Sequence, residues 1–340
     1  MRNARIKATG AGYYHAMSRV IERRHILGDR EKERLLRLMR SLAAFGGLEI
    51  LTYAFLSNHF HILLHVPERR ELSDTEFLER LGHVLEPFQV EQIARELGDC
   101  RRQGQAQAAE AIKARFTYRM FDISEFFKAF KQRFSQTYNR GAGRCGPLWE
   151  QRFKSVLVEG SEHALLTMAA YIDLNATRAG LTADPKDYRF SGYGAAMGGE
   201  PQARAGLRRL MQHVSGGGRV SWGRAQRAYR QQLYVQGRQK GISPDGRPIR
   251  QGFTPAQVEA VLQAGGRLPL HEVLRCRVRY FSDGLALGGR AFLEETFQRY
   301  RAQFGPRRKS GARPMRFAEW GGLCTLRDLR LAPVSHCAAS

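Results

Sequence analysis

LEILTYAFLSNHFHILLHV, residues 48–66, is the stretch whose reading decides the fold. Residues 48–55 and 59–66 are rich in branched and aromatic side chains, and Leu56-Ser57-Asn58 between them reads as the tight turn of a β-hairpin. Side chains alternate across a strand, so His59, His61, Leu63 and His65 share one face, and Phe60, Ile62, Leu64 and Val66 share the other. The second set is wholly apolar and must face a core. The first set puts two imidazoles side by side on the opposite face, where strand positions i and i+2 can aim two nitrogens at one metal ion. The His-x-His tripeptide alone is a weak signal, and it fits equally well two surface histidines on a half-exposed sheet.

Working outward, residues 12–21 (GYYHAMSRVI) read as a strand. Residues 30–45 read as a helix with Leu35, Leu36, Leu38, Met39 and Leu42 on its apolar stripe, ended by Gly46-Gly47. Residues 74–97 look helical with a break at Pro87, and the Ala/Gln-rich stretch 101–115 reads as a solvated helix or linker. Residues 122–138 form a stronger helix, with Asp122 as N-cap and Phe126, Phe127, Phe130 and Phe134 on its apolar face. Residues 149–158 read as a further strand. Residues 162–179 read as a helix with Ser161 at its N-cap and Gly180 just past its end. This order predicts an α+β fold, a ferredoxin-like, RRM-like antiparallel sheet with helices on its faces. The core domain is expected over 1–195, with a helical insertion at about 68–120.

The 340 residues carry 55 Lys and Arg against 32 Asp and Glu, a net charge of +23. Such an excess favours polyanionic partners, nucleic acid first among them. Residues 201–250 hold eleven Lys/Arg and one acid, Asp245, so 196–253 is expected to be a basic linker or DNA-binding segment. Residues 254–340 are expected to form a small, mostly helical C-terminal domain, with strand-like RVRYF at 277–281. No apolar run is long enough to span a membrane, and MRNARIKATG lacks the apolar stretch of a secretory signal. The five cysteines are without CxxC spacing, which fits neither a disulfide framework nor a zinc ribbon and suits a reducing cytoplasm.

Helix 162–179 carries Tyr171 and Asn175. Spaced i, i+4, they lie on one face about one turn apart, where they could meet the histidine face of the sheet or serve only as a packed Tyr and an Asn near a helix end. Taken together, these residues bring a family into view. His59-Phe60-His61 resembles the HUH motif. Tyr171-Ile-Asp-Leu-Asn175 with Arg178-Ala-Gly180 resembles the tyrosine helix of the REP-associated tyrosine transposases, which are related to the small insertion-sequence transposases. YYHAMSR (13–19), LWEQRF (148–153) and DYRFSGY (187–193) resemble that family's flanking blocks, so the likeness runs over residues 12–195. Two features depart from it: Ala176 stands where the family usually has Pro, and 68–120 is longer than the compact family core.

The resemblance implies a metal-dependent enzyme that nicks single-stranded or hairpin DNA and transfers the strand. Tyr171 is the implied nucleophile, forming a covalent 5′-phosphotyrosine and a free 3′-OH. His59, His61 and Asn175 are the implied ligands of a divalent ion, Mg²⁺ or Mn²⁺, although imidazole ligands alone would admit Zn²⁺ or Ni²⁺. Arg19, Arg152, Lys154 and Arg178 are candidate phosphate contacts. His65 shares the histidine face and is expected to serve structurally or toward phosphate, while Tyr14 and His15 on the first strand are placed to reach the site without an assigned role. The protein is expected to act as a monomer or homodimer. Alternative readings are an HUH replication initiator or relaxase, and a non-catalytic nucleic-acid-binding protein.

Overall fold

A computed structural model describes residues 6–182, 184–214, 218–234, 281, 284–315 and 320–327. The expected linker at GRQKGISPDGRPIRQG and the periodic stretch 254–280, with RVRYF save for Phe281, lie outside these residues. The hairpin forms as the alternation requires: β2 (Glu49–Phe55) and β3 (His59–Val66) pair antiparallel, with a bulge between Ile50 and Thr52. Strand β1 (Gly12–Arg19) lies on the other side of β3, and β4 (Lys154–Val158) on the other side of β1. The 149–158 segment is extended only over its last five residues, with Trp149 making an isolated bridge to Val20.

Helices cover both faces of this sheet. On the Phe60 face lie α1 (Asp29–Gly46) and, after the insertion, α5 (Ile123–Gly141). Phe60 is fully buried there, its ring 6.1 Å from Phe127, 5.4 Å from Phe130 and 5.4 Å from Trp149. Asp122 caps α5 as expected, its Oδ1 accepting from the backbone N–H of Ser124 and Glu125. The insertion comprises α2 (Asp74–Leu81), α3 (Pro87–Arg102) and α4 (Ala106–Thr117). It has an apolar cluster of its own, in which Phe77, Leu81, Leu97 and Ala109 pack beneath Phe45 of α1.

The opposite face carries α6 (Glu162–Asp173), which breaks at Leu174 and resumes as the short α7 (Asn175–Arg178), so the expected single helix is two. Ser161 occupies the N-cap position without a side-chain bond to the helix, and its Oγ donates to Glu159 Oε2 instead. Three further helices follow, α8 (Gly192–Met197), α9 (Pro201–Val214) and α10 (Trp222–Tyr234). Asp173, fully buried, ties α8 and α10 to the sheet: it accepts from Thr52 Oγ1 at 2.8 Å, from the Tyr193 N–H at 3.0 Å and from Tyr229 Oη at 2.5 Å. Gly192 makes the approach of α8 to β2 feasible, because a Cβ there would lie 2.3 Å from Thr52 Oγ1.

The described part of the C-terminal region joins this same sheet. Strand β5 (Ala286–Gly288) pairs parallel with β4, and after α11 (Arg290–Arg299) the strands β6 (Arg313–Pro314) and β7 (Cys324–Leu326) follow. The seven strands run in the order β2-β3-β1-β4-β5-β7-β6, a mixed sheet in an α+β fold. No helix among the described residues is long and apolar enough to cross a membrane.

Candidate active site

Pairing register places the histidines. Across β1 and β3, Arg19 stands opposite His59, Met17 opposite His61 and His15 opposite Leu63, so directly paired side chains share a face and His15 is the diagonal neighbour of His61. Because α6 lies over that face, His61 is 2% exposed and His15 is fully buried, while His59 at the strand's end is half-buried. His15 Nε2 and His61 Nδ1 are 2.8 Å apart, and their rings stack. The other nitrogen of His15, Nδ1, lies 2.9 Å from the carbonyl oxygen of Phe281. The His59 and His61 rings meet edge to face at 5.2 Å, and His59 Nδ1 lies 2.7 Å from Asn58 Oδ1.

Tyr171 comes down on this group from α6. Its ring lies 5.9 Å from that of His61 and 6.1 Å from that of His15, edge to face in both cases, and 4.9 Å from Phe281. The Arg178 guanidinium sits 4.2 Å from the Tyr171 ring centroid and donates to the Tyr171 carbonyl at 2.6 Å. Asn175 donates through Nδ2 to the Tyr171 and Ile172 carbonyls, each at 3.2 Å, leaving Oδ1 as the atom it would offer a ligand. Tyr171 is 2% exposed, so its phenol is enclosed by its neighbours.

Burial dominates the electrostatics. It pushes His15 down to about 4, with the Phe281 carbonyl working the other way. It also holds His61 well below the ordinary imidazole value, and repulsion from His15, His59, Arg178 and Arg19 adds to the effect. Both rings are therefore neutral at pH 7. Asp173 is raised to about 6 by burial, against the pull of its three hydrogen bonds.

The remaining expected residues fall into two groups. Arg19, Arg152 and Lys154 line one small pocket together with Glu150, Gln151, Met17 and Ser18, beside the His59 end of the strands. His65 sits apart, with Nδ1 2.7 Å from Glu49 Oε2 and its ring stacked 4.6 Å from Tyr13. Tyr14 faces the other side of the sheet, where its hydroxyl accepts from the Ala8 N–H. Asn58 and Phe281 were not expected at the site. Asn58 is readable in hindsight from its place next to His59, whereas nothing in the sequence announces Phe281.

Among the described residues no three His, Cys, Asp or Glu side chains converge as a metal site. The donors at hand are two imidazoles and one carboxamide. They fit a divalent ion in kind: His61 is neutral, and each of the two rings has Nδ1 engaged with a neighbouring side chain, which leaves Nε2 as the ligating nitrogen.

Comparison with known proteins bears on the same segment. Residues 9–77 match the family model described as "Transposase IS200 like". One solved structure, a REP-associated tyrosine transposase bound to a REP hairpin, is 16% identical over 60% of this chain and 90% of that chain, with a TM-score of 0.36. No curated protein matches the chain. Residues 9–77, which hold His15, His59 and His61, thus carry the family signature of the IS200-like transposases.

Proposed function

We propose that the protein is a transposase of the HUH class that nicks and rejoins single-stranded DNA, probed best on hairpin-forming strands. The observation that carries this reading is the meeting of the Tyr171 ring with His61 and His15 on one face of the sheet, within 6.1 Å, inside a chain of charge +23. In this reading Tyr171 and the histidines of one chain work together.

In the proposed reaction the Tyr171 Oη–phosphorus bond forms as the phosphorus–O3′ bond breaks. The 3′ oxygen leaves and takes up a proton, and the 5′ side stays on the enzyme as a phosphotyrosine. Attack by another 3′-OH reverses the step and joins strands, so the bond energy is conserved. A free phenol ionises near pH 10, and making phenolate at pH 7 costs about 4 kcal/mol. Arg178 lies against the ring and favours the developing negative charge. Mg²⁺ or Mn²⁺, held by His59, His61 and the Asn175 carboxamide, would supply positive charge to the scissile phosphate. These ligands are neutral and leave that charge undiminished. Arg19, Arg152 and Lys154 would hold flanking phosphates. With the phenol enclosed, the strand reaches it only once side chains over it, among them the Phe281 ring and the Arg178 guanidinium, draw aside.

That enclosure is the one observation that favours the rival reading, a nucleic-acid-binding protein without catalysis. A nicking assay separates the two. The full chain should cleave hairpin-bearing single strands with Mg²⁺ and not with EDTA, and should leave duplex DNA intact. Tight binding without cleavage under any divalent ion would leave the rival standing.

A further inference from the structure

We infer that His15 is a positioning residue that sets which nitrogen of His61 carries the lone pair, acting as the middle of a relay from the Phe281 carbonyl. The inference rests on the reading of His61 as a metal ligand and adds to it a residue from another strand. A carbonyl oxygen only accepts, so the 2.9 Å contact from Phe281 requires the proton of His15 on Nδ1. A neutral ring with Nδ1–H has its lone pair on Nε2. That atom, 2.8 Å from His61 Nδ1, then accepts from an Nδ1–H of His61. With Nδ1 protonated, neutral His61 presents its lone pair on Nε2, the form a cation needs. Both nitrogens of His15 are consumed in this chain, so His15 is not itself a ligand. His15 is fully buried, away from bulk solvent. Phe281 also packs its ring against Tyr171, so one residue from the C-terminal region touches both the nucleophile and the start of the relay.

Two measurements on the full chain test this. In the metal-free protein, labelled with ¹⁵N-histidine, long-range ¹H–¹⁵N spectra should show His61 with a protonated Nδ1 and a bare Nε2. Mn²⁺ titration should then show His15→Phe binding about 10- to 100-fold more weakly than wild type, the range expected for losing a ligand's outer partner. His15→Gln, whose Oε1 can accept from His61 while Nε2 donates, should stay within a few-fold of wild type. A His61 carrying its proton on Nε2 in the wild-type protein overturns the relay, and this spectrum needs no variant to fold. Unchanged Mn²⁺ affinity in a folded His15→Phe overturns it as well. The predicted tautomer in a wild type that binds no Mn²⁺ supports the relay and removes the metal reading instead.

Discussion

His15, His61 and Asp173 are buried titratable groups with opposed pH behaviour. The two imidazoles are held below their ordinary value, so the unfolded chain binds their protons first. Their cost is absent above about pH 6.5 and grows as the pH falls toward 4. Asp173, raised to about 6, works in reverse: the folded chain binds its proton first, and that contribution is full below about 3.8 and lost as the pH rises through 6. Between about pH 4.5 and 6 these three groups sum to one net proton taken up on unfolding. Stability should therefore rise with pH there, by roughly 1 kcal/mol per pH unit. Asp173→Asn should steepen this slope and His15→Gln should flatten it, read from urea midpoints at several pH values. Parallel curves for all three proteins would show that the groups do not titrate as described. At this scale the sequence was informative where residue type and spacing speak together, as in His59-Phe60-His61 and Tyr171 with Asn175. It placed His15 within reach of the site but gave it no role, because the register that sets His15 diagonal to His61 arises from packing between strands far apart in the chain.

Helix α6 carries Tyr171, the proposed nucleophile, and Asp173 fixes the helix two residues further on. Tyr229 in α10 supplies one of the three hydrogen bonds to that carboxyl, from 56 residues away. Tyr229→Phe leaves a buried acid with one donor fewer, which should destabilise the fold by about 1–3 kcal/mol. A chemical-denaturation midpoint that does not move would show that α10 does not hold α6. The hairpin and the N-terminal helices were legible because a period of two or of 3.6 persists over enough residues to be seen. Strand β5 is Ala-Leu-Gly, three residues with no period, and its pairing partner β4 lies more than 120 residues earlier. Such an element is specified by what it packs on, and local pattern cannot reveal it.

At the scale of the whole molecule, the proposed function gives the surplus of 23 positive charges a role in drawing DNA to the protein. If it neutralises about six phosphates of a single strand, log affinity should fall against log salt with a slope of about −4. A flat response would mean that the basic surface does not track the backbone. Charge draws the strand in but does not cut it, and the central claim concerns Tyr171. The direct measurement is to incubate the protein with a 3′-labelled hairpin strand and Mg²⁺ and to map any covalent adduct by peptide mass spectrometry. Wild type should carry the label on Tyr171, while Tyr171→Phe should bind the strand equally well and acquire none. An adduct on another tyrosine, or cleavage that survives in Tyr171→Phe, would contradict the assignment.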